Sequence, residues 1–160
     1  MTTPALITLT YILAIAGIGA MFVPRLPSAI ASCAALVCAH IAGAAYVDAK
    51  IIIYWSIATV IVLALRILQP APKGSATAQW YIALGATAGA FVGYAIAPTA
   101  AAIIISSAIA TFLGSVIYIR TPKARAYHVA PGNFVQFICA TGLPAIVTAS
   151  MSAIAIATVI

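Results

Sequence analysis

The stretch "GIGAMFVPRLPSA", Gly17 to Ala29, decides how this chain is folded. Two glycines run into an apolar slide, and Pro24 and Pro27 then bracket Arg25 before the chain turns apolar again. The segment is either a kink inside one membrane helix or a turn between two. Arg25 separates the readings. An Arg at the centre of a span costs at least about 2.5 kcal/mol on insertion scales, whereas at the interface it costs little and fixes orientation. The prolines agree, because each lacks the N–H that a continuing helix needs. The stretch therefore reads as a cytoplasmic turn between two spans.

The composition supports a membrane setting. Of the 160 residues, 66% are hydrophobic and 5% are charged, against about 25% charged in a soluble domain. We expect one integral membrane domain over 1–160. A net charge of +6 could suggest nucleic acid, but the cations sit singly or in short runs between apolar stretches, so no nucleic-acid partner is expected. Asp48 is the only acidic side chain. Cys33, Cys38 and Cys139 lie in apolar segments without CxxC spacing and read as small apolar residues. The N-terminus lacks the basic region of a signal peptide and reads as a retained span.

A membrane helix needs about 20 mainly apolar residues. The punctuation predicts six spans, at 5–23, 28–47, 51–68, 80–97, 99–119 and 134–160, with a kink at Pro144. Charge gives an independent check. Arg25, Arg66, Lys73, Arg120, Lys123 and Arg125 fall on one side of such a chain and Lys50 on the other. Lys and Arg are retained in the cytoplasm, so both termini are expected in the periplasm of a bacterial inner-membrane protein. Trp80, Tyr81 and Tyr118 sit where interfacial aromatic belts form. Arg66, near the cytoplasmic end of the third run, is expected to snorkel. The boundary at Pro98 carries no charge, so spans four and five read either as a tight crossing hairpin or as a re-entrant element.

Four constellations stand out. Gly85, Gly89 and Gly93 recur every four residues and make one smooth helical stripe, suited to close packing within the chain, to a seam with another chain, or to a groove. "GAMFVP" (Gly19–Pro24) matches "GYAIAP" (Gly93–Pro98) in spacing, and the same offset pairs Ser32 with Ser106. This suggests two inverted three-helix repeats, with Gly19, Pro24, Pro27 and Pro98 as turn elements. His40 in the second span is an ionisable group at membrane depth, open to a cofactor or proton-relay role or to a hydrogen bond with a backbone carbonyl. Arg120, Lys123 and Arg125 form a basic cluster suited to anionic lipid headgroups or an acidic partner.

No Ser/His/Asp grouping, paired carboxylates or phosphate loop occurs. With no carboxylate in any span, the sequence argues against an enzyme and against a proton-driven pump. We expect no resident cofactor and no metal.

The Gly–x4–Pro–x–x–Pro element at Gly19, Pro24 and Pro27, the polar basic loop "QPAPKGSATAQW" after the third span, and the Gly-rich "GATAGAFVGYAIAP" together carry a resemblance. The chain resembles the glycine-zipper bacterial membrane family known as domain of unknown function four-five-six. It departs from the family at Ser28 and in "TAAAIIISSAIATFLG", where members tend to carry more glycine. The resemblance implies a small multi-span membrane protein and brings no activity or site with it.

The expected fold is thus an all-α transmembrane bundle. The expected role is a non-catalytic component that packs against lipids, itself or other membrane chains as an accessory subunit. The alternative is a small inverted-repeat transporter or channel for a neutral or lipidic solute. A polar cavity at mid-membrane near the two Gly–Pro elements would favour transport, and a flat small-residue face meeting another chain would favour the component.

Overall fold

The computed structural model describes residues 3–23, 26–43, 47–68, 75–121 and 134–158. Among these residues the protein is all-helical, with no strands. The elements are α1 (Thr3–Met21), α2 (Ser28–Ile41), α3 (Ala49–Leu68), α4 (Ser75–Ile96) and α5 (Ala100–Ile119). A composite helix, α6, follows: an α-turn Phe134–Phe137, a π-helical segment Ile138–Gly142 and an α-helix Leu143–Ala157.

Four of these helices are long and apolar enough to cross a membrane: α1, α3, α5 and α6. The other two miss for different reasons. Helix α2 has 14 residues, about 21 Å at 1.5 Å per residue, which is short of a hydrocarbon core of about 30 Å. The expected span 28–47 is therefore shortened. The helix stops at Ile41, where Gly43 adopts φ 86° and its N–H donates to the His40 carbonyl. A positive φ is cheap only for glycine, so Gly43 ends the helix where apolar composition alone would have continued it. Helix α4 has 22 residues, ample length, but Gln79, Trp80, Tyr81 and its glycines dilute its apolarity.

The chain reverses at Pro98. Helix α4 ends at Ile96, and Thr99 caps α5 by accepting the Ala102 N–H at 3.3 Å. The α4–α5 pair forms the closest hairpin of the bundle, and α1 and α2 form a second one. Helix α6 packs on both hairpins, whereas α3 rests mainly on α2 and α6. Of the span residues, 67% are buried in α6 but 11% in α3. Their sequences explain the contrast. Ala145, Ala149, Ser152 and Ala153 let neighbouring backbones approach α6 closely. The Ile, Val and Leu side chains that stud α3 suit contact with lipid tails, which are as apolar as Leu.

Pro144 does more than kink α6. It offers no N–H, and its ring would clash with the carbonyl four residues back in an α-helix. The preceding turn widens to π, and the Leu143 N–H donates to the Ile138 carbonyl, five residues back. The segment is a π-bulge of the kind that often marks a functional or strained site.

The ends nearest the basic connections lie together. Arg66 at the end of α3 donates from Nη1 to the Leu26 carbonyl at 2.7 Å, and Gln79 near the start of α4 donates from Nε2 to the Met21 carbonyl at 2.7 Å. Phe22 and Trp80 meet as a tilted ring pair with centroids 4.7 Å apart. Arg66 thus ties the α1–α2 turn rather than only reaching for the interface. Tyr118 departs further from expectation. It is 1% exposed, stacked on Phe137 and in tilted contact with Tyr81, so it is a core residue and not part of an interfacial belt.

Candidate functional site

At the opposite end of the bundle α3 stands away from the α4–α5 hairpin. Between them lies a cavity of about 660 Å³, within the range of about 300–1,000 Å³ typical of small-molecule sites. Helix α3 supplies Ile51, Tyr54, Trp55 and Ala58, a stripe at i, i+3, i+4 and i+7 on one helical face. Opposite stand Tyr94 and Pro98 from the end of α4, with Ala100, Ile103 and Ile104 from the first turns of α5. The last turns of α6 contribute Ile154, Ala157 and Thr158. The lining is apolar apart from two phenol hydroxyls, one indole N–H and one threonine. Such a surface has few groups with which to hold a hydrated polar solute, and it suits a hydrocarbon.

The hairpin that forms one wall is locked by glycine. A Cβ on Gly85, Gly89 or Gly93 would stand 2.5, 2.5 and 2.6 Å from the carbonyl oxygens of Ala110, Ser106 and Ala102 on α5. Gly114 returns the arrangement, its Cβ position lying 2.6 Å from the Tyr81 carbonyl on α4. Each step of four residues along one helix meets a step of four along the other. The stripe is therefore covered by α5 within the chain, and no room for a further helix remains on it. Gly114 was not singled out from sequence because it stands alone in α5 and shows no period of its own.

Helix α6 is held to α2 by a ladder of hydroxyls. Ser28 Oγ and Thr148 Oγ1 are 3.1 Å apart, and Ser32 Oγ and Ser152 Oγ 2.8 Å. The constant separation along both chains means that the two helices run parallel. Every buried polar side chain among the described residues is Ser or Thr. Several donate to the carbonyl one turn back, as Thr10 does to Leu6 and Thr111 to Ser107, which satisfies them without a partner helix. Ser107 Oγ instead donates across the hairpin to the Ala86 carbonyl at 3.0 Å. Thr141 Oγ1 and Ser150 Oγ have no partner among the described residues.

The residues singled out from sequence are scattered. His40 lies in the last turn of α2, exposed, with Nδ1 on the Val47 carbonyl at 2.5 Å. Gly19 has nothing within 4 Å of its Cβ position, unlike Gly93, with which the sequence spacing pairs it. Pro27 is the N-cap residue of α2, and Pro98 lines the cavity. Arg120 caps the C-terminus of α5 and is exposed. Pro24, Lys123 and Arg125 lie outside the described residues. No three His, Cys, Asp or Glu side chains gather to hold a metal among the described residues. The α3 stripe was missed: in a helix apolar all round, periodicity cannot tell a cavity wall from a lipid face.

No family model, curated protein or solved structure matches this chain.

Proposed function

We propose that this chain is a non-catalytic membrane protein that takes up an apolar or lipidic molecule between α3 and the α4–α5 hairpin, as a small transporter or carrier within the bilayer. The cavity beside Pro98 supports this reading in a form other than the one expected from sequence: it is apolar, lies toward one end of the bundle and borders one Gly–Pro element, which leaves an apolar or lipidic molecule as the occupant. A polar solute is disfavoured by the same lining. All six helices cross in this proposal, the short α2 with the bilayer thinned around it, in a bacterial inner membrane, with both termini periplasmic. The two halves share their opening hairpins and differ in their third helices, one central and one peripheral. An inverted repeat would therefore have diverged most at α3 and α6. Membership of the glycine-zipper family is proposed on Gly19, Pro24, Pro27 and the α4 stripe, and adds no activity.

The test uses Trp55 as a reporter inside the cavity. In a Trp80→Phe background it is the only tryptophan. Lipids brominated on their acyl chains should quench it, and Ala58→Phe, which fills the wall beside it, should relieve most of that quenching. Quenching unchanged by Ala58→Phe, and likewise by Ala157→Phe on the facing wall, would place the lipid outside the cavity and sink the reading.

A packing component of a larger complex is the second reading. It is favoured by α3, which its own chain buries so little. Its signature would be a cross-link from α3 to another chain in native membranes.

A further inference from the structure

We infer that the occupant of the cavity is an anionic lipid, its acyl chain between α3 and α5 and its headgroup on the ammonium of Lys50. The inference rests on reading the cavity as a lipidic site.

Lys50 lies in the first turn of α3, exposed to the outside. It directly precedes Ile51 and stands one turn before Tyr54, both of which line the cavity. On a helix it therefore borders the lining stripe on the Tyr54 side, at the mouth. A Lys there can lay its methylenes along the apolar wall and keep its charge in the headgroup region. Among the described residues Lys50 makes no hydrogen bond or ion pair.

Topology does not call for this cation. By chain order the other six Lys and Arg fall beside the connections of the opposite end, and a Lys on the translocated side works against the retention rule. Two helix N-termini also open on the same mouth. Helix α3 begins at Ala49 and α5 at Ala100, a lining residue, and their dipoles add partial positive charge there. Asp48 is the counterweight. It is exposed just before α3, and its carbonyl receives the N–H groups of Ile51 and Ile52 at 2.9 and 3.3 Å. Its carboxylate precedes the helix, whereas Lys50 lies within it beside the stripe. A hydrocarbon cavity bordered by the Lys50 ammonium, which has no partner among the described residues, fits an amphiphile with a single negative headgroup better than a neutral one.

The experiment compares headgroups on the Trp55 reporter. The Trp80→Phe protein is reconstituted into bilayers holding brominated phosphatidylglycerol or brominated phosphatidylcholine at equal mole fraction. The phosphatidylglycerol should compete for the cavity with an advantage of about fivefold, the factor one Lys contributes beside an anionic lipid. Lys50→Ala should abolish the advantage, and Lys50→Arg should keep it. Being exposed, neither variant threatens the fold. Equal quenching by the two lipids, relieved by Ala58→Phe, overturns the headgroup assignment and leaves the lipidic cavity standing. An advantage that survives Lys50→Ala also overturns it. Quenching insensitive to the cavity-filling variants overturns both readings.

Discussion

Gly89 shows how a single hydrogen atom decides the geometry of the α4–α5 hairpin. An added Cβ would stand 2.5 Å from the Ser106 carbonyl oxygen and 2.9 Å from the Ser107 Cα, both backbone atoms that cannot rotate away. Gly89→Ala should therefore destabilise the protein by about 1–3 kcal/mol, the usual cost of overpacking. Gly19→Ala is the matched control, since nothing lies within 4 Å of its Cβ position. It should be neutral or stabilising by up to about 1 kcal/mol, because Ala favours a helix more than Gly does. Thermal unfolding in detergent reads both, and equal effects would contradict the packing described. The sequence showed the stripe plainly at Gly85, Gly89 and Gly93. It could not show what covers them, because a smooth face is suited equally to a neighbour in the chain, another chain or a ligand.

Among the elements, α3 and α6 have similar apolarity and opposite fates. Helix α6 carries the hydroxyls that meet α2 and the small residues that admit both hairpins, whereas Thr59 and Val62 are the buried residues of α3. A helix held by so few contacts opens at low cost. Hydrogen exchange in detergent should find the amides of α3 exchanging well before those of the Leu143–Ala157 part of α6. The reverse order would mean that α3 is held by something other than α2 and α6. In the proposed uptake of a lipid, the same looseness makes α3 the natural wall to yield. Helix boundaries followed the sequence where Pro or charge marks them, as at Pro27, Pro98 and Asp48. They departed where one glycine acts through its backbone angle, as Gly43 does, and where Pro144 is absorbed by a π-turn instead of ending the helix.

For the whole molecule, the predicted orientation is open to a direct check. With the native cysteines replaced, Ala49→Cys and Ala124→Cys should label from opposite sides of the membrane. Labelling of both from one side would refute six crossings. The contacts of Arg66 with Leu26 and of Gln79 with Met21 gather one set of helix ends. The cavity gathers the start of α3, the end of α4, the start of α5 and the end of α6 at the other.

By itself the sequence determined that the chain is helical with segments apolar enough to cross a membrane, because so few charges cannot make a soluble surface, and it determined the turns that Pro and charge mark, because both are costly inside a span. It also determined that α4 has a face fit for close approach. Only the tertiary structure decided that α5 occupies that face, that α6 is the central helix, and that α3 stands off to leave a cavity. Those outcomes depend on how helices with nearly uniform apolar surfaces choose one another. Side-chain size and backbone contact govern that choice, and hydrophobic period carries almost no record of it.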